Sequence, residues 1–184
     1  EIPGGEPVDK TEPMNVSIDS TIKLYHEDNF AKAPQFRMLW PTVEEFSDDS
    51  YPLAYLGQLL SQGKKAPLYK VLEKERKLTT SQSAYNRSQE IAGSFGISVT
   101  ANEGVSLKEV EAGIFEAFKM FEEQSFTEED VERIKAGLET GFYNGISSVL
   151  GKSFQLAFYN LEMCALLSFL LDLTTAKDYF QACF

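Results

Sequence analysis

The chain has 184 residues, 43% hydrophobic and 24% charged, which suits one domain with a sizeable core and leaves no room for a stable second one. A formal net charge of −11 repels phosphate backbones, so a nucleic-acid role is not expected and the charge reads as solubility. The two cysteines, Cys164 and Cys183, match no metal-ligand or redox spacing and are too few for a disulfide framework.

The chain opens at Glu1-Ile2-Pro3-Gly4-Gly5 without an initiator Met, so it reads as an excised or processed piece. No secretory signal is visible, and localisation stays open. Pro3, Pro7 and Pro13 punctuate an acidic stretch and discourage regular pairing. Residues 1–17 are therefore expected to be a linker, and residues 18–184 the domain. Residues 21–25 (Thr-Ile-Lys-Leu-Tyr) alternate and predict a strand, followed by a turn at Glu27-Asp28-Asn29. A second strand is expected from Pro34 to Trp40, with Phe36, Met38 and Trp40 on one face and Pro41 ending it.

The period then changes. Leu53, Leu56, Leu59 and Leu60 recur at helical spacing behind the start signal Ser47-Asp48-Asp49-Ser50, and Gly63 stops the helix. A shorter helix follows, with Pro67 in its first turn and Leu68, Val71 and Leu72 inward. Residues 79–87 and 95–101 read as strands. Ser106-Leu107-Lys108-Glu109 is a capping box, opening a helix with Leu107, Val110, Ile114, Phe118 and Phe121 on one stripe. Thr127 and Asp130 open the next, with Val131, Ile134, Leu138, Phe142 and Val149 as its stripe. Gly137, Gly141 and Gly145 share that helix, and their four-residue spacing predicts close helix–sheet packing. The order is ββαα twice over with further helix behind, so the fold class is α+β: helices on one face of a mainly antiparallel sheet. From Met163 the chain turns apolar. Residues 164–171 are too short to span a bilayer, and read as a buried helix or as a surface that docks on a neighbour.

Chemistry is scarce. His26 is the sole histidine, whereas catalytic zinc takes three protein ligands that normally include histidines. Its neighbours Glu27 and Asp28 point in different directions, so a solvated turn is expected there. No Gly-x-Ser-x-Gly elbow or Gly-rich phosphate loop occurs, and Glu122-Glu123 and Glu128-Glu129 read as solvated helix faces. No catalytic or metal-binding residue is expected in this chain.

Several phrases then carry a resemblance, in order: Glu27-Asp28-Asn29, Ala33-Pro34-Gln35-Phe36, Trp40-Pro41-Thr42, Ala66-Pro67-Leu68-Tyr69-Lys70-Val71-Leu72, Gly104-Val105-Ser106-Leu107 and Phe126-Thr127-Glu128-Glu129-Asp130-Val131. Residues 33–153 resemble the non-catalytic domain of the pitrilysin/insulinase zinc metalloproteases, and Ile2-Pro3-Gly4-Gly5 is similar to the connector behind the catalytic domain. The resemblance implies a domain without activity of its own, packed against the catalytic domain of the same parent chain and enclosing peptide substrates. It implies no cofactor here and zinc in that catalytic domain through His-x-x-Glu-His; no membrane span is expected from the short apolar run. Some family members supply an Arg and, seven residues on, a Tyr near the scissile bond. Those positions are Glu73 and Thr80 here, and neither can do that work. In one member an edge strand after the short second helix anchors the substrate. The matching positions are Ser81, Gln82, Ser83, Ala84 and Tyr85, where small side chains let a peptide approach. The alternatives are a scaffold subunit and a freestanding peptide-binding module with no protease role. Residues 161–184 are more apolar than the family pattern.

Overall fold

The computed structural model describes residues 12–14, 16–124 and 126–162. Three strands form an antiparallel sheet: β1 (Gln35–Thr42), β2 (Thr79–Ser88) and β3 (Gly93–Ala101), in the order β1-β3-β2. The helices are α1 (Ser50–Ser61), a π-helix (Tyr69–Glu75), α2 (Leu107–Gln124), α3 (Glu128–Gly145) and α4 (Val149–Glu162). The α+β class follows from this order.

Alternation along β3 places Phe95, Ile97, Val99 and Ala101 on one face. That face meets Leu60 of α1, Leu68, Val71 and Leu72 around the π-helix, and Val110, Ile114 and Ala117 of α2. Most of these side chains are fully enclosed, and each contributes about 1.5–3 kcal/mol of transfer free energy for a Val- or Leu-sized group. Phe36 and Met38 of β1 join the same core, and Trp40 lies against Phe95 and Phe118. The predicted common face of Phe36, Met38 and Trp40 is thus present. Pro41 does not end the strand, however, because β1 is an edge, where a missing amide costs no central ladder bond.

The short helix after Pro67 is wider than an α-helix. The Arg76 amide donates to the Val71 carbonyl, five residues back, at 3.0 Å. The predicted capping box forms, and the start signal at Thr127 and Asp130 is a second one. The Ser106 amide donates to Glu109 Oε2 at 3.0 Å, and the Glu109 amide donates to Ser106 Oγ at 3.3 Å. Thr127 and Asp130 repeat the arrangement at the head of α3. The serine hydroxyl bond, then the Ser106 amide, holds the Glu109 carboxyl below its ordinary range, and the threonine hydroxyl does so first for Asp130.

Three expectations are corrected. Residues 21–25 form no strand; Ile22, Leu24 and Tyr25 are exposed, and Lys23 reaches Glu111 Oε1 at 2.7 Å. Alternation makes a strand only where a second strand accepts its hydrogen bonds, so the first half of the expected repeat has one strand and not two. The helix with Ile134 stops at Gly145. Val149 belongs to α4, which Ser148 opens by accepting the Gly151 amide at 3.0 Å. Gly137, Gly141 and Gly145 do not pack on the sheet: among the described residues an added Cβ at any of them would meet no atom within 4 Å, and the close neighbour of the Gly145 carbonyl is Gly151 of α4. Among the described residues α3 contacts α1 and α4, away from the sheet. Cys164, Cys183 and the apolar stretch from Met163 lie outside the described residues.

Candidate functional site: the helix-free face of the sheet

The core-facing residues of the three strands fix where the others point. The opposite face carries four cross-strand rows: Gln35, Thr100 and Ser81; Arg37, Ser98 and Ser83; Leu39, Gly96 and Tyr85; and Pro41, Ser94 and Arg87. Among the described residues, the helices packed on the sheet lie across the other face, in the core of Ile97 and Val99. Arg37, Leu39, Ser81 and Arg87 are exposed. A Cβ at position 96 would sit 2.7 Å from Tyr85 Cζ, so the tyrosine ring lies flat over a position that only glycine leaves open.

The five residues expected to contact peptide are therefore divided. Ser81, Ser83 and Tyr85 share the helix-free face. Ala84 is buried in the core, and the Gln82 amide group donates to the Ser61 carbonyl at 3.0 Å, holding the end of α1. β2 is an edge strand, yet its outer edge is occupied at Ala84. Ser61 Oγ donates to the Ala84 carbonyl at 3.4 Å, and a Cβ on Gly57 would approach that oxygen to 3.0 Å. Main-chain groups alternate in direction along a strand. The Ser81 amide bonds to Thr79 Oγ1, which itself donates to the Thr100 carbonyl of β3. At Ser81 the main chain faces β3, and at Ala84 it faces α1.

What the site offers is a flat surface and not a pocket. One cavity of about 50 Å³ sits where α1, α2 and α3 meet, lined by Leu59, Phe121 and Phe126 with Lys65, Asp130 and Arg133. That is well below the roughly 300 Å³ of a small-molecule site. Its charges are spent on one another, with Asp130 Oδ1 3.4 Å from Arg133 and 3.8 Å from Lys65. Among the described residues no three His, Cys, Asp or Glu side chains converge. His26 stands exposed in the segment before β1. With one histidine in the chain, the donor set does not fit a catalytic zinc, and no step is routed through one.

Arg37 and Arg87 are the functional candidates that sequence reading missed. They come together only through register, since Arg37 pairs with Ser98, and Arg87 with Ser94, on the strand between them.

Comparison with known proteins bears on this geometry. No curated protein matches the sequence. Among solved structures, a protease from Helicobacter pylori superposes with a TM-score of 0.67 at 17% identity, covering 84% of this chain and 35% of that one. A peptidase M16 inactive domain from Pseudomonas fluorescens gives 0.61 at 16% identity, with 80% and 33% covered. An inactive peptidase domain from Bordetella parapertussis gives 0.58 at 13% identity, with 70% and 71% covered. These likenesses establish the fold, and the chain spans about a third of the length of the first two. Residues 2–138 match the peptidase M16 inactive domain family, the pitrilysin/insulinase group that the sequence phrases resemble, and the chain belongs to that family.

Proposed function

We propose that this chain is the non-catalytic domain of a zinc metalloendopeptidase, that it packs against the catalytic domain of the same parent chain, and that it helps enclose and bind peptide substrate. The observation that carries the reading is the inactive-domain match over residues 2–138. The donor set, with its single histidine, supports the non-catalytic part. Zinc belongs to the catalytic domain in this reading, and residues 1–17 connect the two domains. Peptide contact falls to Ser81, Ser83 and Tyr85 on the helix-free face, where small hydroxyls and one flat ring let an extended chain lie close. Gln82 and Ala84 contribute from beneath, by fixing β2 on α1 and on the core.

The test is made in the parent enzyme. Ser83→Lys places a long side chain in the middle of this face without touching the core. It should raise KM for long peptides several-fold and spare very short ones that do not reach the wall. Equal effects on both lengths would mean that the substitution disturbs the enzyme generally, and no effect on either would remove peptide contact from this face.

A further inference from the structure

We infer that the helix-free face selects acidic extended peptide segments, with Arg37 and Arg87 as its carboxylate-binding groups and Tyr85 and Leu39 as the apolar floor between them. This rests on the peptide-contact reading above and adds the chemical class of the peptide. The first argument is charge. The chain carries 28 Asp and Glu against 17 Lys and Arg, yet none of the twelve positions on this face is acidic and two are arginine.

The second argument is pairing. The chain has four arginines. Arg76 holds Glu116 at 3.2 Å and Arg133 holds Asp130 at 3.4 Å. Among the described residues, Arg37 and Arg87 hold no carboxylate; the Arg37 Nε donates to Gln35 Oε1 at 3.0 Å, which leaves the outer fork of the guanidinium open. That planar fork matches a carboxylate in two-point contact, and the serine hydroxyls of the same rows (Ser83 and Ser98 beside Arg37, Ser94 beside Arg87) add neutral donors.

The third argument is spacing. The two arginines stand on the outer strands, two rows apart, with the Leu39–Gly96–Tyr85 row between them. Strand geometry puts their Cα atoms roughly 17 Å apart on the diagonal, a distance that an extended peptide covers in about five residues. The net charge of −11 opposes an acidic ligand at long range, but at physiological ionic strength that field decays over about 8 Å, so the local groups decide.

The experiment is a fluorescence-anisotropy titration of the 184-residue chain at physiological salt. The probes are two labelled ten-residue peptides of identical apolar content, one with Glu at two positions five apart and one with Lys there. Two exposed ion pairs, counted against the repulsion of the Lys peptide, predict roughly tenfold tighter binding of the Glu peptide. The double variant Arg37→Glu/Arg87→Glu should reverse the preference. Ser98→Glu, which puts an acid at the centre of the face, should weaken the Glu peptide several-fold on its own. Both sets of positions point to solvent, and a thermal melt of each variant verifies that it folds. Equal binding of the two peptides, unmoved by either variant, overturns the acidic class and leaves peptide contact standing. Binding of neither peptide overturns both readings.

Discussion

Helices α2 and α3 are both 18 residues long and both open on a capping box, yet they are held by different means. α2 lies on the sheet with Val110, Gly113, Ile114 and Ala117 buried. Among the described residues α3 buries only Val131 and Ile134, against Tyr55 and Leu59 of α1, and its three glycines face no side chain there. The difference shows that a helix is specified locally while its docking is not. Caps and an apolar stripe decide that the turn forms, and the element met on that stripe decides how much burial adds.

The largest test of that difference is truncation along the two stripes. Ile114→Ala should cost about 3–4 kcal/mol in urea unfolding, because the side chain is wholly enclosed between sheet and π-helix. Leu138→Ala, at a half-buried site against α1, should cost less than about half as much. Equal losses would erase the distinction between the helices. Next comes the glycine pair. A Cβ at Gly113 would press to 2.6 Å on Leu72 Cδ2, an atom with nowhere to go, so Gly113→Val should cost about 2–3 kcal/mol. Gly137→Ala meets nothing and should stabilise α3 by up to about 1 kcal/mol. Thermal shifts of the same sign for both would show that α3 also packs closely.

The smallest effect concerns acid. Glu109 and Asp130 titrate lower in the folded chain than when unfolded, so their caps stabilise above the ordinary carboxylate range. That contribution begins to fall near pH 4 and is gone once the pH has passed below the lowered folded values. Hydrogen exchange at falling pH should show α3 fraying before α2, because once both caps are protonated α2 keeps Val110, Gly113, Ile114 and Ala117 buried, and α3 keeps Val131 and Ile134. Asp130→Asn should remove the pH dependence at the head of α3, and simultaneous loss of both helices would contradict the ordering.

What the sequence disclosed followed the same division. The boxes at Ser106 and Thr127 are legible because all their partners lie within four residues. Strands β2 and β3 are legible because alternation and a short loop make a hairpin almost by themselves. Residues 21–25 alternate just as cleanly and fail, since pairing needs an edge that the pattern does not contain. The glycine spacing in α3 does not by itself specify close packing, which depends on which element lies opposite. The helix start at Ser148 is hidden in the sequence because the apolar stripe runs through it, and it shows only in the bond that Ser148 accepts from the Gly151 amide. The arginine pair needed the register of three strands, which no single segment encodes.

The π-helix and the irregularity at the start of β2 stand a few residues apart, and each contains one residue more than its regular counterpart. In the first, the Arg76 amide reaches five residues back instead of four. In the second, Thr79 and Ser81 pair with the consecutive residues Ala101 and Thr100, so Thr80 has no partner and the Thr79 hydroxyl fills the gap in the ladder. Between the buried Leu72 and the buried Ala84 the chain thus carries slack that touches neither. Insertion or deletion of a residue between Ser81 and Ala84 would turn Ala84 outward and Tyr85 inward. Here it would change only the width of a turn or the size of a bulge, which makes this stretch the place where descendants of the gene can differ in length while every side chain downstream keeps its face.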